Sequence, residues 1–237
     1  RMQMEQDLNL AAGLGQLTIN FQPLFDTAGG RHHGAEVLLR WNHPEKGSIS
    51  PATFIPLAEA TGQIVAIGDW VLEQACRSWS AWHNAGIDPG FLAINVSRVQ
   101  FRKRLSARIA ELMSNYRIPS QALELEITES VLLDDHSQVA EELGSLRAAG
   151  LILSLDDFGT GYSSLSYLKR FRFDVLKIDR SFVNGLPDDR DDVLLVKAIL
   201  AMAKGFDLKV VAEGVENQQQ LSFLENQGCD RAQGFLL

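Results

Sequence analysis

Leu123-Glu124-Leu125-Glu126-Ile127-Thr128 and Leu151-Ile152-Leu153-Ser154-Leu155-Asp156-Asp157 flank a helical stretch near 136–149 that ends at Gly150. Side chains alternate along a strand, so positions two apart share a face. In the first segment the leucines and Ile127 lie on one face, with Glu124, Glu126 and Thr128 on the other. In the second the leucines again share a face, leaving Ile152, Ser154 and Asp156 opposite. A strand, a helix and a second strand of this kind make the unit of a parallel sheet, with the leucines turned toward the helices. The other face then carries carboxylates where a barrel interior normally holds bulky branched residues.

The same unit repeats along the chain. Strands are expected at 91–97, 123–128, 151–157, 175–179, 209–215 and 231–237, with helices near 98–116, 136–149, 163–171, 192–206 and 217–227. Gly150 and Gly228 stand just past helix ends, where a left-handed cap is wanted. Toward the amino terminus the rule breaks. Segments 17–25 and 35–41 are separated by a turn containing Gly29-Gly30, too short for a crossover helix, so they pair antiparallel. Two helices near 51–61 and 68–85 follow. The class is α/β, and the architecture a TIM-like (β/α)8 barrel with the first strand antiparallel to the rest. An open doubly wound sheet is the rival, but no glycine-rich phosphate turn opens any helix. Residues 1–14 read as a linker helix from an upstream region, and 15–237 as one domain whose C-terminal closing helix is absent.

The 237 residues suit one barrel of about 250. A formal net charge of -8 argues against a duplex nucleic-acid binder that reads phosphates through a basic face. Two cysteines, Cys76 and Cys229, make no disulfide framework, so a reducing, cytoplasmic setting is expected. No apolar run approaches the roughly 18 residues of a spanning helix, and no signal peptide is visible. The segment itself is expected to make no membrane contact, although it could be the cytoplasmic part of a membrane-anchored multidomain protein.

The eight strands in turn supply Gln22, Glu36, Asn95, Glu126, Asp156 with Asp157, Lys177, Glu213 and Gln233 to the inner face. Each alone has an ordinary structural explanation. Asp156-Asp157 can cap the turn before Phe-Gly-Thr-Gly, Lys177 can be a salt-bridge partner, and Asn95 can satisfy loop backbone. Their coincidence on every strand is what needs a reason. Carboxylates gathered this closely repel one another unless a cation lies between them. Glu36, Asn95, Glu126, Asp156, Asp157 and Glu213 are all oxygen donors, the preference of Mg²⁺ or Mn²⁺, and consecutive aspartates can serve two ions. Such ions activate a water and stabilise attacking and leaving oxygens. Lys177 can hold that water or neutralise transition-state charge. Arg40, on the face of Glu36 and Leu38, is placed to grip a phosphate. The residues therefore describe a metal-dependent phosphoester hydrolase. His32 and His33 are expected to be solvated in the hairpin turn, and Trp70, Trp79 and Trp82 to be packing residues.

Motifs then narrow the reading. Phe21-Gln22-Pro23, Glu36-Val37-Leu38-Leu39-Arg40, Asn95-Val96-Ser97, Glu126-Ile127-Thr128-Glu129, Asp156-Asp157-Phe158-Gly159-Thr160-Gly161, Lys177-Ile178-Asp179-Arg180, Glu213-Gly214-Val215-Glu216 and Gln233-Gly234-Phe235 resemble the EAL-domain family in order and spacing. The resemblance implies a bacterial phosphodiesterase that opens cyclic di-GMP to linear pGpG with two Mg²⁺ or Mn²⁺ ions. It implies metal ligands at Glu36, Asn95, Glu126, Asp156, Asp157 and Glu213, and a catalytic lysine at Lys177. Arg40 matches the substrate-phosphate arginine, and Gln22, Leu38, Asp179, Glu216, Gln233 and Phe235 match the substrate groove. Glu129 matches a glutamate ordering the loop 157–164, which with its adjacent helices implies a homodimer. The signature triplet departs from the usual pattern at Val37, which faces away from the chemistry. Two alternatives accompany this reading: a degenerate EAL domain that binds cyclic di-GMP as a receptor, and a barrel enzyme for another phosphoester.

Overall fold

The computed structural model describes residues 2–101, 105–132, 136–159 and 165–237. Strands β1 (Leu17–Asp26) and β2 (His32–His43) form an antiparallel hairpin in which Gln22 faces Glu36 and Asn20 faces Leu38. Gly29 and Gly30 make its turn with φ of 89° and 61°, a conformation glycine adopts without steric cost. A three-residue strand β3 (Gly47–Ile49) folds back on the end of β2. Helices α2 (Pro51–Thr61) and α3 (Ile64–Asn84) follow. Then come β4 (Phe91–Asn95), α4 (Arg98–Phe101), α5 (Leu105–Tyr116), β5 (Leu123–Thr128), α6 (Glu129–Leu132) and α7 (His136–Ala148). The chain continues through β6 (Ile152–Phe158), α8 (Leu165–Arg170), β7 (Val175–Ile178), α9 (Arg180–Val183), α10 (Arg190–Gly205), β8 (Lys209–Glu213), α11 (Gln218–Asn226) and β9 (Arg231–Gln233).

From β2 through β4, β5, β6, β7 and β8 to β9 every pairing is parallel. The last strand then pairs antiparallel with β1 through Phe25 and Asp26, so the ring closes as eight strands with β1 reversed. The expected barrel and its reversed first strand are both present. The segment expected as a strand to 237 ends at Gln233, because the chain turns there: Leu236 N donates to Val215 O at 3.1 Å. The strand expected at 175–179 stops at Ile178, and Asp179 instead caps α9 by accepting from Ser181 N at 3.0 Å.

Two layers of apolar packing hold this arrangement. Leucines and isoleucines on the outer faces of the strands meet the helices in the main core, which includes Leu123, Leu125, Ile127, Leu153 and Leu155. Inside the ring, Leu24, Phe91, Ala93, Val175 and Val211 form a smaller cluster with Ile152 against it. On β4, β7 and β8 the apolar inner residues Ala93, Val175 and Val211 stand two positions before Asn95, Lys177 and Glu213, so the polar residues lie one layer nearer the carboxyl ends. Helix α10 shows how local signals set the outer shell. Asp189 accepts from the backbone of Asp191 and Asp192 at 2.8 and 3.1 Å, and acids sit in the first turn with Lys204 in the last.

The stretch expected as a linker helix is helical at Met2–Ala11. Helix α1 (Met2–Ala11) packs against α2, burying Leu8 and Ala11, which lie three apart on one helical face. Its Asp7 receives Lys46 Nζ at 2.9 Å and faces His43 Nε2 at 3.2 Å. The expectation for His33 changes. It is half-buried, with Nδ1 3.4 Å from Asp26 and Nε2 2.8 Å from Arg231. Trp79 is packed as expected, and its Nε1 donates to Gly90 O at 2.8 Å. Among the described residues no helix is long and apolar enough to cross a membrane.

Candidate active site

Lys177 is the organising residue. It lies on β7, its side chain is 1% exposed, and its Nζ sits among four carboxylates contributed by four different strands. Glu126 Oε1 and Glu213 Oε1 are each 2.6 Å away, Asp156 Oδ1 is 3.5 Å away, and Glu36 Oε2 is 3.6 Å away. Any two of these oxygens are therefore separated by no more than two short ion contacts. Four anions around one cation leave a formal excess of negative charge when all are ionised, in a place water scarcely reaches.

The environment moves the titrations in ways that follow from burial and charge. Burial lifts Glu126 well above the ordinary carboxylate range, with Lys177 opposing and Glu36 and Asp156 reinforcing the rise. Glu213 rises to about 7 by burial, again against the pull of Lys177. For Glu36 burial acts upward too, but Lys177 and hydrogen bonds from Gln233 and Asn95 outweigh it and lower the pKa. Lys177 itself would be lowered by burial. The charges of Glu126, Glu36, Glu213 and Asp156 raise it instead.

Glu36 is clamped by two amides: Asn95 Nδ2 donates to Oε1 and Gln233 Nε2 to Oε2, both at 2.7 Å. Gln233 Nε2 also reaches Glu213 Oε1 at 3.4 Å. This clamp is tertiary and had no signature in the sequence. Glu126 contrasts with it: both its oxygens are buried, Oε1 faces the Lys177 ammonium at 2.6 Å, and among the described residues no amide or hydroxyl donates to either. Buried oxygens in that condition, within a donor set made only of oxygen, fit a hard divalent cation. Glu36, Asn95, Glu126, Asp156 and Glu213 are the side chains that could hold one. No group of three His, Cys, Asp or Glu among the described residues has its donors already gathered as a metal cage. The ammonium of Lys177 occupies the centre of the cluster.

Asp157 departs from strand alternation. The β6–β7 register shifts between Leu155 and Phe158, and Asp157 has φ of 54°, in the left-handed region that aspartate tolerates better than most residues. The bulge lets consecutive aspartates both reach the mouth. Partial burial and the charges of Asp156 and Asp179 raise its pKa. Glu129, first residue of α6, accepts from Gly159 N at 3.4 Å, and so touches the start of the 157–164 loop. Positions 160–164 of that loop lie outside the described residues.

The expected groove residues are spread more widely. Gln22 pairs in register with Glu36 across the hairpin. Leu38 and Arg40 line a cavity with Asn95, and Arg40 Nη1 donates to Leu39 O at 3.0 Å. Asp179 is engaged as a helix cap, Glu216 is exposed, and the Phe235 ring is 92% exposed just beyond β9. One buried feature was missed. Beneath the cluster, Glu124 is wholly buried and Arg231 Nη1 lies 3.7 Å from its Oε2, with the guanidinium 4.9 Å over the Phe91 ring. Glu124 shares the inner face with Glu126, but nothing local pointed to Arg231 as its partner.

Comparison with known proteins places this geometry. The profile of the EAL domain family matches residues 5–237. The bifunctional diguanylate cyclase/cyclic di-GMP phosphodiesterase MucR of Pseudomonas aeruginosa is 44% identical over 238 residues, covering 100% of the chain and 35% of MucR. The cyclic di-GMP phosphodiesterase NbdA of the same organism is 43% identical over 236 residues, covering 99% of the chain and 30% of NbdA. The chain thus spans about a third of the length of these relatives. Among solved structures, the PaMucR phosphodiesterase in complex with c-di-GMP superposes with a TM-score of 0.93 at 44% identity, covering 99% of this chain and 96% of that one. The EAL enzyme Bd1971, with cAMP and cyclic di-GMP bound, gives 0.94 at 30% identity, covering 99% and 65%.

Proposed function

The chain belongs to the EAL domain family, and on that premise we propose that its barrel hydrolyses cyclic di-GMP to linear pGpG. The observation that carries the reading is the convergence of Lys177 with Glu36, Glu126, Asp156 and Glu213 at one mouth of the barrel. Water adds to a phosphorus of the ring, the bond from phosphorus to the 3′ oxygen breaks, and a proton passes to that oxygen. Divalent cations, Mg²⁺ or Mn²⁺ and two per site in this reading, supply activation of the water and stabilisation of the developing charge. Glu36, Asn95, Glu126, Asp156, Asp157 and Glu213 are the side chains assigned to hold them.

The remaining roles belong to the chain's own residues. The Lys177 charge, with the amides of Gln233 and Asn95, keeps Glu36 ionised, and the two amides orient it. Lys177, held charged by its neighbours, orients the attacking water and neutralises charge as it develops on the phosphate. Arg40 binds a phosphate oxygen, with Gln22, Leu38, Asp179, Glu216 and Phe235 as further substrate contacts. Glu129 is assigned to the start of the 157–164 loop, where it accepts from Gly159 N. The working unit in this proposal is a homodimer joined through that loop and its adjacent helices, a point sedimentation decides.

A receptor that binds the dinucleotide without cleaving it is the second reading. It is favoured by the ammonium of Lys177 lying where a cation's charge is wanted, with no complete cage among the described residues. Incubation with cyclic di-GMP and Mn²⁺, followed by chromatography, separates the two. Formation of pGpG is the expected result. Binding without product selects the receptor, and neither binding nor product points to another phosphoester.

A further inference from the structure

The ladder between β7 and β8 runs out at Ile178 and Ala212, one residue before Glu213. Lys177 and Glu213 nevertheless meet at 2.6 Å, so the turns beyond these strands are held by something other than the ladder. They are packed without slack. A Cβ on Gly214, which has φ of 70°, would come 2.5 Å from the Cβ of Arg180, the first residue of α9. On the other side Val215 N donates to Gln233 O at 3.0 Å, and Gln233 is one of the two residues that clamp Glu36.

Gln220 supplies the fastening. At the start of α11 it completes a reciprocal cap: Asn217 Oδ1 accepts from Gln220 N at 3.0 Å, and Gln220 Oε1 accepts from Asn217 N at 3.2 Å. A residue serving only as a cap can leave its amide nitrogen in water. Gln220 is instead 3% exposed. Its Oε1 also accepts from Glu216 N at 2.8 Å, and its Nε2 donates to Val183 O at 3.1 Å and Asn184 O at 3.4 Å. A carboxamide has two acceptor lone pairs and two N–H donors, and all four are used. One buried group thus joins the turn after Glu213 to the end of α9, the helix that follows Lys177.

We propose that Gln220 is a positioning residue for the hydrolytic centre, holding the turns after β7 and β8 in register so that Lys177 Nζ and Glu213 Oε1 stay in contact. It touches neither substrate nor the reacting phosphorus, and acts through Lys177 and Glu213. This assignment rests on the hydrolase reading above. The role requires glutamine, because one side of the group must accept while the other donates. Glutamate serves a capping box equally well. At position 220, though, its second oxygen would confront the carbonyls of Val183 and Asn184, and the link to α9 would break.

Gln220→Glu therefore separates a cap from a positioning residue. In this variant kcat for cyclic di-GMP should fall about tenfold or more, with KM within about threefold of wild type, since Gln22 and Arg40 reach the substrate from β1 and β2. The Mn²⁺ Kd measured by calorimetry should rise about tenfold or more as Glu213 shifts. Asn217→Ala removes the cap acceptor and spares the four contacts of the Gln220 side chain. Its Tm should fall by about 2–4 °C, with kcat and Mn²⁺ Kd within about threefold of wild type. Wild-type kcat and Mn²⁺ Kd in Gln220→Glu overturn the assignment, whether or not Tm drops, and leave the phosphodiesterase reading intact. Equal loss of kcat in both variants overturns it as well, because capping α11 would then be what matters. Absence of pGpG from wild type sinks the phosphodiesterase reading, while the change in Mn²⁺ Kd still decides the role of Gln220. Should Gln220→Glu fail to fold, amide exchange of wild type decides. The Glu216 N–H should be protected although its residue is exposed, and by linkage should exchange more slowly still with Mg²⁺ bound. Exchange at the unprotected rate, or indifferent to Mg²⁺, overturns the assignment.

Discussion

Replacing Lys177 with Met asks whether the ammonium is what lets four carboxylates share one space. Methionine is close in length, so packing is nearly preserved and the change is one of charge. The lost contacts are those at 2.6 Å to Glu126 and Glu213, with Asp156 and Glu36 within 3.6 Å. Removing one partner of a buried ion pair costs about 3–5 kcal/mol, because the surviving charge is left uncompensated. In a chain of this size 1 kcal/mol moves Tm by about 2–4 °C, so the variant should melt on the order of 10 °C lower than wild type in chelator. Mn²⁺ supplies the missing positive charge, and at a hundredfold excess over its Kd it adds about 2.7 kcal/mol. The Mn²⁺-induced rise in Tm should therefore be larger in the variant than in wild type. Turnover of cyclic di-GMP should remain down by about 10² or more even with Mn²⁺, since the stabilising charge in the transition state is gone. Scanning calorimetry with and without chelator, beside product chromatography, measures all of this. Equal melting of the two proteins in chelator would refute the electrostatic reasoning, and wild-type turnover would remove Lys177 from the chemistry.

Three other outcomes are expected. Glu36→Ala should weaken Mg²⁺ or Mn²⁺ binding in calorimetry by about tenfold or more, the cost of losing one ligand oriented by two amides; unchanged affinity excludes Glu36 as a ligand. Arg231→Leu should destabilise the barrel by about 3–5 kcal/mol by stranding buried Glu124, and Glu124→Leu in the same chain should recover most of it; urea unfolding that shows additive losses contradicts the pairing. Asp7 is held down at about 2, chiefly by the Lys46 hydrogen bond, so its contribution to stability is complete above its unfolded pKa and is lost as pH falls toward 2. The Tm gap between wild type and Asp7→Asn should thus be constant near neutrality and close between roughly pH 4 and pH 2; a gap that persists at pH 2 shows that α1 is not anchored by this carboxylate.

What the sequence made legible was the part governed by strand alternation. Glu126, Lys177, Glu213 and Gln233 each lie on the face their position in the strand requires, because parity is local and survives small errors in strand limits. The reversed β1 was legible for a similar reason: a turn at Gly29-Gly30 leaves no room for a crossover. Features made by non-local contact were not legible. The clamp on Glu36 joins residues 59 and 197 positions away, and the pair of Arg231 with Glu124 spans the ring. Helices α6 and α9 were missed because four residues cannot display a 3.6-residue period. Alternation itself misleads at Asp157, where the bulge turns the side chain, and only the structure reveals the positive φ. The packing of helix α1 was faint in the sequence because its buried stripe is as short as Leu8 and Ala11.

Diffraction at the manganese absorption edge from crystals grown with Mn²⁺ confronts the account with its most direct test. Anomalous density should appear at the carboxyl-end mouth of the barrel, within coordination distance of oxygens from Glu36, Glu126, Asp156 and Glu213, with Lys177 Nζ displaced from the centre of the cluster. Fully occupied Mn²⁺ elsewhere, with the ammonium unmoved among its four carboxylates, would contradict the claim that these side chains form a metal-dependent hydrolytic centre.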